Sequence, residues 1–599
     1  DTGRTTADNR YIVFFHGKAS YIFLYASIHK SNSLHSKRAQ LTSSCLARIP
    51  CVPNLMYYTG YAMRLQVFFI DSQQKIHTMH DFYTFYINKY CAIEPLSHII
   101  ELFLYTYFAR ERNGGFILTH DLAIINTFVL YIGFMMAIGV YYYRRTRNMS
   151  DYFLGNRKLG AWVTSLSAEA SDMSGWMLMG VPGYAYLAGL NAGWIAVGIA
   201  IGTWANWHFV AARLRKYTEL ANNSLTLPEF LQNRYHDKSG LLRIVPAIFI
   251  LIFFVIYTSS GFVSAGRLFE TVFGIPYQYA IFIGAGSVVF YTLVGGFLAV
   301  SRTDFIQGVM MFFAILVVPI CGAMQCGGFE STIAAISQVQ STMLEPLTKP
   351  DGSMMNAIEL ISLLAWGIGY FGQPHILVRF MAIRTSKEVK QATHIAMTWV
   401  ILSLAAAVAV GMVGRVYLTT PLEGTASETV FLVMTNELFP PIATGLILSA
   451  VLAAIMSTAS SQLLVAASAF AQDFYRTLLR KDAEQKELVW ISRASVLVIA
   501  SLAIFLGLNP NNFILDMVSY AWAGFGAAFG PALLMSLFWR HTTKYGVLAG
   551  IIVGGVTVLV WKQYAFLGLY EIVPGFLFSA LTIWVVSWLD RVPEASILE

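Results

Sequence analysis

From Leu122 to Leu589 the chain repeats one pattern, an apolar run followed by a polar connection. About 20 apolar residues are needed for a helix to cross the hydrocarbon core of a bilayer, so each long run predicts a transmembrane span. Thirteen spans are expected, at about 122–143, 161–187, 193–212, 244–266, 276–299, 304–325, 357–378, 392–414, 440–470, 490–508, 514–538, 545–561 and 568–589. The pattern predicts an all-α polytopic membrane protein. Before residue 118 it stops. The apolar runs there, such as Tyr11–Phe15 and Gln66–Ile70, are too short to span, and Glu101 interrupts the longest, His98–Phe108.

Composition agrees with this reading. Of 599 residues 56% are hydrophobic and 12% charged, against roughly a quarter charged in soluble domains. Five cysteines without a CxxC pair suggest neither a disulfide framework nor a zinc ribbon. The longest polar connections, at 213–243 and 326–356, are too small for a catalytic domain. There is no GxxxxGK[ST] or HExxH motif, so neither nucleotide hydrolysis nor a zinc protease is expected. The protein is not expected to be an enzyme or to need a cofactor.

Charge becomes informative once it is located. Residues 1–117 hold 12 Lys and Arg against 7 Asp and Glu, with no Trp, whereas residues 118–599 hold 28 against 26 and all 13 Trp. With thirteen spans, 24 of those 28 basic residues fall on one face, leaving Arg267, Lys349, Arg415 and Lys562 on the other. Basic loops stay in the cytoplasm, so the C-terminus is expected to be cytoplasmic and the segment before the first span outside. The expected location is the plasma (inner) membrane, with the lipid bilayer and not nucleic acid as partner. Residues 1–117 are expected to be translated upstream sequence or a disordered extension, outside the fold. Gly114-Gly115 can be encoded by a purine-rich ribosome-binding stretch two codons before Leu118, a candidate start.

Two spans are broken. The second holds Gly175, Gly180, Pro182 and Gly183, and the seventh holds Gly367, Gly369, Gly372 and Pro374. Backbone groups released at such breaks must face protein or a cavity, because lipid cannot satisfy them. Five spans counted from each break give two blocks, 161–325 and 357–538, which enter from opposite faces. This five-plus-five inverted repeat, LeuT-like in type, is the arrangement of secondary transporters, whose sites lie at discontinuous helices. Asp172 in the first break is a functional candidate because buried membrane carboxylates are costly. Ser174 follows it. Ser457 and Thr458 in the ninth span either bond back to their own helix or offer oxygen ligands to sodium. Trp176, Tyr257, Trp366 and Tyr370 either line a pocket or belong to interfacial belts. Asp304 stands at an expected helix start, where an acidic N-cap would account for it.

The strings ASDMSGW (170–176), GGFLAVSRTD (295–304), GYFGQPHILVRFMA (369–382), AAIMST (453–458), QKELVWISR (485–493), SYAWAGFGAAFGP (519–531) and GLYEIVPGF (568–576) resemble the sodium:solute symporter family, most of all its proline-transporting members. The likeness runs from about Thr119 through the last span. It implies a sodium-coupled symporter domain over residues 118–599, taking up L-proline by alternating access with sodium as co-substrate. A symporter of another small carboxylate or osmolyte, or a membrane sensor module, are the other readings. The resemblance implies a sodium site at the Ala170, Met173 and Ala454 carbonyls and the Ser457 and Thr458 hydroxyls. It implies coupling roles for Asp172, Ser174, Gly175, Asp304 and Arg157, and substrate contacts from Trp176, Tyr257, Trp366, Tyr370 and Pro374. Two positions depart from the pattern: Glu169 stands where a small residue is expected, adding a carboxylate near the ion path, and Arg302 stands where Trp is expected.

Overall fold

The computed structural model describes residues 9–17, 20–29, 62–69, 120–143, 154–294, 296–349, 351–564 and 566–590, in two units, Asp1–Gly115 and Phe116–Glu599. In the first unit β1 (Asn9–Gly17), β2 (Ser20–His29) and β3 (Ala62–Phe69) form an antiparallel sheet in the order β1-β2-β3. Phe14 lies opposite Phe23, and Leu24 opposite Val67. The run Tyr11–Phe15 thus falls within a strand. His98–Phe108, Gly114-Gly115 and Leu118 lie outside the described residues.

The described residues of the second unit are helical. After α1 (His120–Tyr143), the second expected span is split into α2 (Ala161–Asp172), a π-turn (Trp176–Gly180) and α3 (Val181–Ala188). The third comprises α4 (Gly193–Ala205), a π-turn (Asn206–Ala211) and α5 (Ala212–Leu220). The short α6 (Leu227–Arg234) precedes α7 (Leu241–Phe273), α8 (Tyr277–Val294) and α9 (Phe297–Gln325). Beyond α10 (Phe329–Val339), the seventh expected span is α11 (Ala357–Leu364), a 3₁₀ stretch (Ala365–Gly372) and α12 (Pro374–Ala382). The rest is α13 (Val389–Tyr417), α14 (Val430–Leu438), α15 (Pro441–Ser468), α16 (Gln485–Gly507), α17 (Ile514–Phe538), α18 (Lys544–Tyr564) and α19 (Ile572–Leu589). Ten helices among the described residues are long and apolar enough to cross a membrane, and Tyr277–Leu293 and Ala357–Gly372 are apolar but shorter.

α15 is the central helix. It packs against α1, α2, α7, α9 and α16, and every residue from Leu448 to Leu464 is buried. Small residues make this possible: Ala, Ser and Gly on a membrane helix let neighbouring backbones approach. One such approach is between α4 and the 3₁₀ stretch, where a methyl group added at Gly202 would lie 2.0 Å from the Gly367 carbonyl oxygen. Any larger residue at either position would push the third and seventh spans apart.

Three charged residues are not where the sequence suggests. Arg379, assigned to a cytoplasmic loop, is fully buried within α12. Arg267, assigned to an outer loop, is buried within α7, which continues to Phe273. Asp304 is no N-cap, since α9 begins at Phe297 with Gly296 as its cap. In each case the helix extends past its apolar run because a buried partner accepts the charge: Glu428 for Arg267, and Asp304 and Arg379 for one another.

Candidate functional site

The two breaks face each other. α2 closes with the Met173 N–H donating to the Glu169 carbonyl at 2.8 Å, and Met173 then leaves helical geometry at φ −82°, ψ 88°. Of the four residues expected to break this span only Gly175 is at the gap. A methyl group there would meet Ser264 Oγ at 2.2 Å. Pro182 sits in the first turn of α3, where a missing N–H costs nothing. The seventh span breaks at Gln373, φ −81°, ψ 105°, and Pro374 opens α12. Across the gap the Tyr370 hydroxyl donates to Asp172 Oδ2.

At the other side of α2 the chain touches α15. Ser457 Oγ donates to the Ala170 carbonyl at 2.6 Å and to the Ala454 carbonyl at 3.1 Å, and Thr458 Oγ1 approaches the same Ala170 oxygen at 3.2 Å. Ala170, Ala454, Ser457 and Thr458 therefore meet at one point, and Met173 ends the same helix three residues after Ala170. The two hydroxyls bridge helices and do not only bond back to their own. Such a group of hard oxygen donors, neutral and dry, suits a sodium ion. Ser174 stays local, its hydroxyl lying 3.5 Å from the Trp176 N–H.

Aromatic rings cover the Asp172 side. The Trp176 indole N–H donates to the Asp172 carbonyl at 2.9 Å, and the Tyr257 hydroxyl reaches that oxygen at 3.4 Å. Trp176 and Trp366 have ring centroids 6.2 Å apart, and Trp366 also meets Trp522 at 6.5 Å and Tyr570 at 5.8 Å. Tyr370 meets Trp522 edge-on at 4.8 Å. All four predicted aromatics are buried, which removes the interfacial-belt reading for them. Pro374 lines a different space, a cavity shared with Thr226, Phe297, Arg379, Ser461 and Asp473.

Asp304 sits in a network of its own. Its Oδ2 accepts from Ser167 Oγ at 2.7 Å, Ser171 Oγ at 3.2 Å and Arg379 Nη2 at 3.1 Å. The same Arg379 nitrogen donates to Ser461 Oγ at 2.5 Å, so α2, α9, α12 and α15 converge on one ion pair.

Comparison with known proteins decides the class of this assembly. A sequence profile of the sodium:solute symporter family matches residues 152–554. The chain belongs to the sodium:solute symporter family. It is 50% identical over 478 residues to the sodium/proline symporter of Salmonella typhimurium, covering 79% of this chain and 94% of that one. The osmoregulated proline transporter OpuE of Bacillus subtilis is 48% identical over 479 residues, covering 79% and 96%. A solved Na+-coupled sialic acid symporter, captured substrate-bound and outward-open, aligns with a TM-score of 0.65 at 20% identity, covering 79% of this chain and 99% of that one. The LeuT-like fold of sodium symporters is therefore shared.

Within this symporter Arg157 works as a tie at the basic face. Its guanidinium donates to Asn223 Oδ1 at 2.9 Å, Thr218 Oγ1 at 3.2 Å, the Met381 carbonyl at 2.6 Å and the Ser224 carbonyl at 2.9 Å. Arg157 itself has φ 53°, an uncommon conformation for a non-glycine residue that the surrounding bonds must hold. The loop before α2 is thereby tied to the ends of the third and seventh spans.

Sequence reasoning missed Arg379, Ser167, Ser461 and Trp522. Ser457 and Ser461 are one turn apart, which was a signal that one face of α15 is polar. For Arg379 the preceding apolar run HILV was the clue that the helix had not yet ended.

Proposed function

We propose that the protein carries L-proline into the cell with sodium, by alternating access across the plasma membrane. The observation that carries this reading is the junction of the Ala170 carbonyl with the Ser457 and Thr458 hydroxyls beside an aromatic pocket, in a chain half identical to sodium/proline symporters of near-equal aligned length. Sodium binds among the carbonyls of Ala170, Met173 and Ala454 and the two hydroxyls. It draws the carbonyls at the end of α2 toward α15 and so orders the break at Met173–Gly175. That break presents Trp176 and Asp172 to the facing Tyr370, where proline binds against Trp176, Tyr257, Trp366 and Tyr370.

Because the ion orders the surface that holds the amino acid, each raises the affinity of the other by the same factor. The cavity lined by Pro374, Arg379 and Asp473 is the route onward to the cytoplasm. Arg157, tying the loop before α2 to the ends of the third and seventh spans, is a coupling residue in this reading. A membrane potential supplies about 2.3 kcal/mol per charge per 100 mV, enough for more than tenfold accumulation with one sodium. In this reading the chain crosses the membrane thirteen times with its basic loops in the cytoplasm, and residues 1–117 take no part in transport.

The test is uptake of labelled proline into proteoliposomes. An inward sodium gradient should drive accumulation above equilibrium, and dissipating it should abolish accumulation. Sodium-independent uptake, or no competition by unlabelled proline, would overturn the reading.

A further inference from the structure

The third span presents one exposed face that changes character along its length. Val197 and Ile201 are exposed on α4, Trp204 follows on its last turn, Phe209 on the π-turn, and Arg213 and Lys216 on α5. Steps of three or four residues keep side chains on one side of a helix, and the step of five from Trp204 to Phe209 does so across a π-turn. The two rings adjoin edge-on, with centroids 5.7 Å apart. Toward the end of the span that carries the basic loops, the face therefore reads aliphatic, aromatic, cationic. That is the order of tail, interface and headgroup across a phospholipid leaflet.

The cations at its end are placed by tertiary contacts. Arg213 Nη1 donates to the Leu537 carbonyl at the end of α17 at 3.3 Å, and its guanidinium carbon lies 4.3 Å from the centroid of the Phe538 ring. That ring is itself exposed. The guanidinium is thus fixed at the surface, and its other N–H donors have no partner among the described residues. Arg540, two residues after the ring, is exposed as well. Arg215 on the same helix makes the contrast: it is buried, donating to the Ile383 carbonyl at 2.6 Å and to Glu219 Oε2 at 2.6 Å.

Among the described residues no carboxylate pairs with Arg213, Lys216 or Arg540. Glu219, close in the chain to the first two, is taken by Arg215, and no Asp or Glu occurs between Asp516 and Glu571. The basic stretch from Arg476 to Arg493 differs, because Asp482, Glu484 and Glu487 are interleaved there and Glu487 pairs with Arg480. Three uncompensated cations at the foot of an exposed apolar stripe fit a ligand with an anionic head and apolar tails. A free phosphate ion would use the cations alone.

We propose that Arg213, Lys216 and Arg540 hold the phosphate of an anionic phospholipid such as phosphatidylglycerol, whose acyl chains lie along Val197, Ile201, Trp204 and Phe209. The lipid bridges α5 and the loop after α17, the inner ends of the third and eleventh spans. The proposal goes beyond the symport reading and takes from it only that the basic loops face the cytoplasm, where the leaflet surface is negative.

The test is lipid binding by native mass spectrometry of the full-length symporter in detergent, without sodium or proline. The protein is titrated with phosphatidylglycerol or with phosphatidylcholine of the same acyl chains. Phosphatidylglycerol should bind at least about tenfold more tightly, since each basic side chain near the headgroup contributes roughly fivefold. Arg213→Gln with Lys216→Gln should weaken phosphatidylglycerol binding by roughly 25-fold and leave phosphatidylcholine unchanged. Arg540→Gln should weaken it by roughly fivefold. This variant keeps the Arg213 contacts with Leu537 and Phe538, so it decides the matter if the double variant does not fold. Equal binding of the two lipids by the unaltered protein overturns the proposal, as does unchanged phosphatidylglycerol affinity in Arg540→Gln or in the double variant. Displacement of the lipid by an equal concentration of inorganic phosphate also overturns it. None of these outcomes bears on proline symport, which the uptake assay decides.

Discussion

Asp304 and Asp172 are both fully buried carboxylates on membrane helices, yet they differ in what surrounds them. Each leaves one oxygen without a partner. On its other oxygen Asp304 holds a guanidinium and two serine hydroxyls, whereas Asp172 holds a phenol and has Glu169 as its charged neighbour. The first is an internally neutral joint among four helices. The second stands at a helix break, with no guanidinium or ammonium of the described residues among its hydrogen-bond partners. Burial alone does not set the surroundings of a carboxylate; a built-in counter-charge does.

The largest expected effect is on the neutral joint. Arg379→Ala strands Asp304 in the interior and should cost about 3–5 kcal/mol, read as loss of folded protein in thermal unfolding of the detergent-solubilised symporter. Asp304→Asn together with Arg379→Gln should recover most of that loss. An Arg379→Ala protein as stable as the parent would erase the contrast between the two sites.

At the other carboxylate the order of effects reverses, with function moving more than stability. Asp172→Asn should raise the sodium concentration for half-maximal uptake by tenfold or more, a loss of at least about 1.4 kcal/mol, while the protein still folds. Sodium titration of proteoliposome uptake checks this, and an unchanged midpoint would remove Asp172 from the ion path. Ser457→Ala and Thr458→Ala each delete one neutral oxygen, so each should shift the same midpoint about fivefold, near 1 kcal/mol per hydrogen-bonding group. The smallest effect is expected at Arg302, which is exposed on α9. Arg302→Trp should leave stability within about 0.5 kcal/mol and uptake unchanged. A large effect there would extend the Asp304 joint to the surface.

Much of the fold was legible because lipid imposes a simple rule: long apolar runs become helices. The breaks were also visible, since ASDMSGW and WGIGYFGQP place glycine and proline inside such runs. What was not visible is which glycine does what. Gly175 is at the gap, but Gly183 packs against the backbone of Glu428, a contact between residues far apart in the chain. Ser457 and Thr458 were legible as candidates because two hydroxyls stand among small residues and the family resemblance points to them, yet only their reach to the Ala170 carbonyl separates a bridge between helices from a bond within one. Pro374 belongs to the broken span as expected, and only the structure shows that it lines a cavity beside Arg379.

By itself the sequence determined the class of protein and the places where its helices could break, because hydrophobicity, glycine and proline act locally on a chain in a bilayer. Only the tertiary structure decided which charges are buried and which of them cancel. Arg379 and Asp304 are 75 residues apart, and nothing local to either says that α9 and α12 will bring them together. The same folding leaves Glu169 and Asp172 without an ion pair among the described residues, because pairing in a low-dielectric interior depends on distance in space and not along the chain.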